Sequence, residues 1–305
     1  MISQKWMKPV LQASTMALGV VVGMAHGLNL AQADEAKPAA GKYFLTNTTA
    51  LRLNPIGLFN STQIGYEMPL SQSDSPLFKG TYAKIAFAPS VSPAFGRWGL
   101  LAEVMPLSIL RLSVLGEYVT HFGTFNFLQS FPSPSDDFSD ARIEELAQSA
   151  NEDEKNYSTT GKAVTFGALL QGKVGEIAAR VAYRGIYQQT DLREGDNVYY
   201  DVFLDILAPK TGWIHTTDTD ILRMDGDYTY GLRHTFVSTS YDGVEDSEEN
   251  VPTHRVGPLF SMKLANAEGS KVTSRSAFLL AQWWVKHRYR SGPLVALGYT
   301  INLDF

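Results

Sequence analysis

The chain of 305 residues contains no cysteine. That excludes disulfides, thiolate metal sites and a cysteine nucleophile. It also lacks an excess of positive charge. Its 26 Lys and Arg stand against 31 Asp and Glu, a formal net charge of −5, which disfavours nucleic acid as a partner. Beyond the N-terminal segment there is no long apolar run, whereas a bundle of membrane helices needs repeated runs of roughly 20 residues. Disorder is excluded in turn, because 44% of the residues are apolar and 11% aromatic, too many for an unfolded chain. By these averages the chain is a soluble, mildly acidic domain. The order of the residues gives a different reading.

Residues 1–33 read as a secretory signal. Lys5 and Lys8 supply a positive start, an apolar stretch runs from Val10 to Ala25, and Ala31-Gln32-Ala33 is a small-x-small cleavage site. The expected mature chain, 34–305, begins near Asp34 as one domain. The alternative is a membrane anchor, but no comparable second run follows. No cysteine follows the signal either, so a lipoprotein is not expected.

The last dozen residues, Leu294 to Phe305, alternate. Val295, Leu297, Tyr299, Ile301, Leu303 and Phe305 share one face, while Ala296, Gly298, Thr300, Asn302 and Asp304 share the other. This is period two with one greasy face and one polar or small face. The segment resembles the C-terminal assembly signal of bacterial outer-membrane β-barrels: a glycine (Gly298), alternating hydrophobics through Tyr299, Ile301 and Leu303, then a terminal Phe305. The resemblance implies an all-β, transmembrane, antiparallel up-and-down barrel in the bacterial outer membrane. It further implies contact with outer-membrane lipids and lipopolysaccharide, and handling by a barrel-assembly machinery.

The same alternation recurs at 107–123, 176–189, 253–265 and 275–290. These segments are long enough for spanning strands of about 9–11 residues. Candidate strands are 43–53, 56–68, 80–90, 97–105, 107–123, 160–171, 176–189, 212–223, 227–241, 253–265, 275–290 and 294–305. Twelve is an even count, as bacterial barrels require, with ten as the alternative. Both ends then lie in the periplasm. Tight periplasmic turns fall at Met105-Pro106, Gly172 to Gly175 and Met224-Asp225-Gly226, and long extracellular loops at 124–159, 190–211 and 242–252. Tyr199 to Leu207 is assigned to an outer loop able to fold over the mouth, because a spanning strand there would break the parity. In loop 124–159, Ser139 is placed to cap a short helix with Ile143, Leu146, Ala147 and Ala150 on one face. Trp98, Tyr118, Phe122, Tyr187, Trp213, Tyr228, Tyr289 and Tyr299 suit interfacial girdles.

Sorted by parity, the inward face carries Lys84, Arg97, Arg111, Arg180, Arg184, Arg233, Arg255, Lys263, Lys286, Arg288 and Arg290. The inward acids are Glu67, Glu103, Glu117, Asp218 and Asp220. The remaining acids concentrate in the loops. A basic lumen predicts a passive, porin-like channel for small anionic solutes. Charges paired across the interior predict instead a closed structural or surface-interaction barrel. The third reading is a lipid-active enzyme or protease.

Catalytic chemistry is thin. His234 and Ser238 share a strand face roughly 13 Å apart, beyond hydrogen-bond reach. Asp218 and Asp220, roughly 7 Å apart on one face, together with His234 faintly resemble the Asp/His sites of outer-membrane proteases, but His234 belongs to the lipid face. An Asp pair bonded to inward arginines is the plainer reading. The sequence has no metalloprotease, phosphate-loop or dinucleotide motif, and no cofactor or metal is expected.

Overall fold

Alternating segments of this length bury one face when they roll into a closed sheet. A computed structural model describes residues 41–241, 252–266 and 271–305; the expected signal segment 1–33 and most of the acidic stretch 242–252 lie outside them. In chain order the elements are β1 (Lys42–Leu53), β2 (Gly57–Pro69), β3 (Tyr82–Phe87), β4 (Ser90–Val91), β5 (Phe95–Leu107), β6 (Leu110–His121), β7 (Ser130–Phe131), α1 (Asp140–Ala147), β8 (Thr159–Val174) and β9 (Ile177–Thr190). There follow β10 (Val198–Asp201), β11 (Ile206–Pro209), β12 (Thr211–Asp225), β13 (Tyr228–Tyr241), β14 (Thr253–Leu264), β15 (Val272–Lys286) and β16 (Pro293–Asp304).

Each wall strand pairs antiparallel with its sequence neighbour, and β1 pairs with both β2 and β16, so the sheet has no free edge. β3 and β4 are two pieces of one wall strand, interrupted at Ala88-Pro89, where proline has no N–H to give to a ladder. The wall therefore has twelve strands, the number and placement read from the sequence. Among the described residues no helix is long and apolar enough to cross a membrane; the crossing is made by strands.

One barrel end carries the turns at 108–109, 175–176 and 226–227, with left-handed Gly175 and Gly226. It also carries the longer connections 70–81 and 265–271. The opposite end carries the segments 122–158 and 191–210.

The outer face is predominantly apolar, interrupted by polar side chains such as Asn47, Asn60, His234 and His254. Leu51, Ile64, Ile85, Leu100, Leu170, Ile221, Leu232, Val285 and Leu297 are all exposed there. Aromatics band the two ends, with Tyr43 against Tyr66 and Tyr228 against Phe260 at the short-turn end, and Tyr187 against Trp213 at the other. Tyr289 does not join a band. β15 ends at Lys286, and the following turn brings Tyr289 over the mouth, edge-on to Phe138 at 4.8 Å.

Gly298 faces inward, where a β-carbon would lie 2.1 Å from the Phe278 ring. Only glycine leaves room for that buried aromatic.

Candidate functional site

Alternation sends every second side chain inward, and in this barrel they comprise apolar clusters, with Phe44 and Leu101 in one and Leu222, Phe278 and Leu280 in another, and a set of buried charges. On the β9–β12–β13 side, Asp220 sits between two arginines. It accepts from Arg180 Nε on one flank and from Arg233 on the other, at 2.7 Å from Nε and 2.8 Å from Nη2. One pleat further, Asp218 accepts from Arg184 at 3.1 Å and from the Thr235 hydroxyl at 2.6 Å. Gln282 on β15 donates to Thr235 at 3.0 Å. Across the barrel, Lys84 and Glu103 pair at 2.8 Å, with Tyr82 donating to the same carboxylate and Arg111 4.0 Å away. Arg97 pairs with Glu117 at 3.2 Å. Lys84, Glu103, Asp218, Asp220 and Arg233 have side chains no more than 1% exposed. These groups are cross-braced rather than arrayed around open water.

Arg255 is the exception. It is 1% exposed and stacks over Trp284 at 4.7 Å, and none of its three guanidinium nitrogens has a hydrogen-bond partner among the described residues.

Above these charges the mouth is occupied. β10 and β11 form a hairpin, and β7 from the other long loop adds a third strand to it. All eight residues of β10 and β11 are buried. Asp201 Oδ1 accepts from the amides of Phe203 and Leu204 and so shapes the hairpin tip. The tip reaches the far wall, where Arg52 donates to the carbonyls of Val202 and Phe203, both at 2.6 Å. Phe203 packs against Phe59 and Phe95. On the near wall Gln188 and Tyr241 donate to the carbonyls of Pro209 and Leu207.

α1 lies over this plug. Ser139 caps it through the Arg142 amide, and Ile143 and Leu146 are buried. These two side chains join a core with Phe131, Val198, Tyr200 and Leu207. The loop and the plug are thus one packed unit.

Arg290 clamps that unit to the turn 287–292. It bonds both oxygens of Asp205, at 2.9 and 3.2 Å, and also Tyr200 and Asp140. This is a two-pronged guanidinium–carboxylate pair, among the stronger protein hydrogen-bond arrangements. Burial, with Asp205 beside it, pushes the Tyr200 phenol well above its ordinary value. The phenol therefore keeps its proton, which it donates to Asp205 at 2.7 Å. His287 Nδ1 accepts from the amides of Tyr289 and Arg290, and Nε2 donates to the Asp205 carbonyl at 2.9 Å. That pattern fits the neutral ring. Burial holds the His287 pKa below its usual value, against the opposing pull of Asp205.

The residues expected inside thus divide. Arg111, Arg180, Arg184, Arg233, Arg255, Glu103, Glu117, Asp218 and Asp220 are brought into the interior, and Arg290 into the plug clamp. Three do not line a lumen. Lys286 is displaced by a register shift at His254/Arg255, which pairs His254 with Lys286 and Arg255 with Trp284. Lys286 is therefore exposed beside an outward histidine. Arg288 lies past the end of β15 and donates to the Ser135 carbonyl in the long loop. Lys263 is exposed near the short-turn end of β14.

His234 points outward, 3.2 Å from His254, and so away from Asp218 and Asp220. Arg52, Asp201, Asp205 and His287 were not singled out from the sequence. Arg52 was findable, because it shares the inward parity of Thr48 and Ala50. Asp205 gives no periodic signal in its short apolar stretch.

The segment Gly298 to Phe305 forms the β16 side of the closing seam, with Tyr299, Ile301 and Leu303 opposite Thr49, Asn47 and Leu45. The Phe305 amide donates to the Tyr43 carbonyl at 2.9 Å.

No family model matches the chain, and no curated protein does. Among solved structures, 88% of the chain is similar in fold to the beta domain of the Bordetella autotransporter BrkA, at TM-score 0.44 and 11% identity over 100% of that chain. The translocator domain of the autotransporter NalP from Neisseria meningitidis matches over 88% of this chain and 90% of its own, at 0.42 and 9%. The Acinetobacter baumannii outer membrane protein Omp33 matches over 88% and 100%, at 0.38 and 8%.

Proposed function

From an integral outer-membrane β-barrel, apolar outside and closed on itself, we propose a barrel whose resting state is sealed and which acts through its plugged outer face. The observation that carries this is the three-stranded plug, β7 with β10 and β11, pinned to opposite walls by Arg52 on β1 and Gln188 on β9, with Arg290 clamping it at the rim beside β1. Beneath it the inward charges are paired at 0–16% side-chain exposure. A passive pore needs a wet path lined by unpaired groups, and this arrangement favours a closed interior instead.

Arg255 favours a second reading. A buried guanidinium without a carboxylate partner would attract a small anion once the plug moved aside, making the protein a gated anion path.

Planar-bilayer conductance tests both readings. The native chain is expected to pass no steady current. A variant with 198–209 replaced by a short Gly-Ser linker is expected to pass an anion-preferring current if the second reading holds, and to stay silent if the packed interior beneath the plug seals the barrel by itself. The linker spans easily, because the Lys210 amide already bonds the Asn197 carbonyl at 2.7 Å. Steady current through the native protein would overturn the sealed state.

A further inference from the structure

A cavity of about 240 Å³ lies at the long-loop rim, and it straddles the wall. Leu51, Ile56 and Leu58 line it from the membrane side, while Phe59, Phe95 and Phe203 line it from the interior. The wall is low here because β1 and β2 are joined by only Asn54, Pro55 and Ile56. The rim is higher on either side, where the tip of the plug and the segment 122–127 stand over this notch.

Three properties of the notch define what it holds. First, its lining is almost wholly apolar. The one charged group, Arg52, is 4% exposed and bonds the carbonyls of Pro55, Val202 and Phe203. Second, the notch is smaller than the roughly 300–1,000 Å³ of a pocket for a whole drug-sized ligand, so it fits one part of a molecule. Third, it opens onto the wall surface that carries Leu51, Leu53 and Leu58, all exposed and hydrocarbon-facing.

The backbone beside the notch is also unusual. Phe125 and Asn126 both take left-handed conformations, at φ 53° and 63°, which non-glycine residues rarely adopt. Phe125 is held 70% exposed at the notch edge. Strain of this kind gathers at binding sites.

We propose that the notch seats one acyl chain of a bilayer lipid, entering sideways between the β1–β2 turn and Phe125, with the lipid headgroup left outside. The chain end then meets Phe203 at the tip of the plug, so lipid occupancy and plug position share a contact.

Tryptophan quenching by bilayer lipids brominated on the acyl chain tests this, and its readout is independent of conductance. The full chain is reconstituted with all five tryptophans, Trp6, Trp98, Trp213, Trp283 and Trp284, replaced by Phe, and with Phe95→Trp as the reporter. Two controls keep only Trp283, on the lipid face, or only Trp284, in the interior. The Phe95→Trp signal is expected to show at least half the quenching of Trp283 and several-fold more than Trp284. Adding Ala94→Phe, which fills the notch, is expected to remove most of it, with the heat-dependent gel shift of a folded barrel confirming that each variant assembles. Quenching no greater than that of Trp284 would overturn the proposal. So would quenching that Ala94→Phe leaves unchanged, or quenching by a brominated free fatty acid but not by the brominated bilayer.

Discussion

At the scale of the residue, the interior depends on charges that share partners. Asp220 has no exposed side-chain surface and serves Arg180 and Arg233 together. Removing one partner of a buried pair leaves the other charge without water or counter-ion, at a cost of roughly 3–5 kcal/mol. Asp220→Asn takes the shared carboxylate from two guanidinium groups at once and is expected to lower stability by about that amount, read as an earlier midpoint when urea unfolding is followed by loss of the compact gel band. An unchanged midpoint would mean that the arginines find other partners. Arg223→Ala is the control. Its pair with Glu176 is half exposed on both sides, and pairs of that kind contribute only about 0–1 kcal/mol.

At the scale of the element, the clamp on the plug is sensitive to acid. His287 lies outside the wall strands, with Nδ1 accepting two backbone amides. A proton on Nδ1 would displace both of them. Burial lowers the His287 pKa, against the pull of Asp205, so the unfolded ring takes a proton more readily than the clamped one. The clamp's stability is therefore complete above the ordinary histidine value near 6.5 and declines as pH falls below it. Amide exchange in 198–209 and 287–290 is expected to accelerate, relative to β12, as pH drops from about 7.5 to 5. His287→Gln should flatten that dependence, whereas equal acceleration in both proteins would assign it elsewhere.

The same elements show what alternation can and cannot reveal. Where a strand is regular, parity alone placed Arg233 and Arg255 inside and Leu232 and Val256 outside. At the His254/Arg255 register shift parity breaks for Lys286, and Arg288 and Tyr289 lie past the end of β15, where counting by twos no longer applies. The plug was readable only as a loop. Its strands are buried on all sides, so they carry no period-two signal, and their partners come from 130–131 and from distant walls.

At the scale of the whole molecule, the seam between β1 and β16 makes the sheet a ring. Thr48 and Thr300 face each other across it with their hydroxyl oxygens 2.9 Å apart, both buried. The chain has no cysteine of its own, so a Thr48→Cys, Thr300→Cys double variant is expected to cross-link cleanly on oxidation. The product should migrate differently from the reduced form on a denaturing gel, and failure to cross-link would mean an open seam. The seam also bears on the order of assembly. It joins residues 256 apart in sequence, as in the Thr46–Asn302 bond, whereas every other wall pairing joins neighbouring strands. Closing so long a loop carries the largest entropic penalty, so that pairing forms after the others. The plug draws on two separate loops and contacts walls on both sides of the barrel. Its contacts on β1 and β9 exist together only in the ring, so closing the seam completes not just the wall but the seat of what the wall encloses.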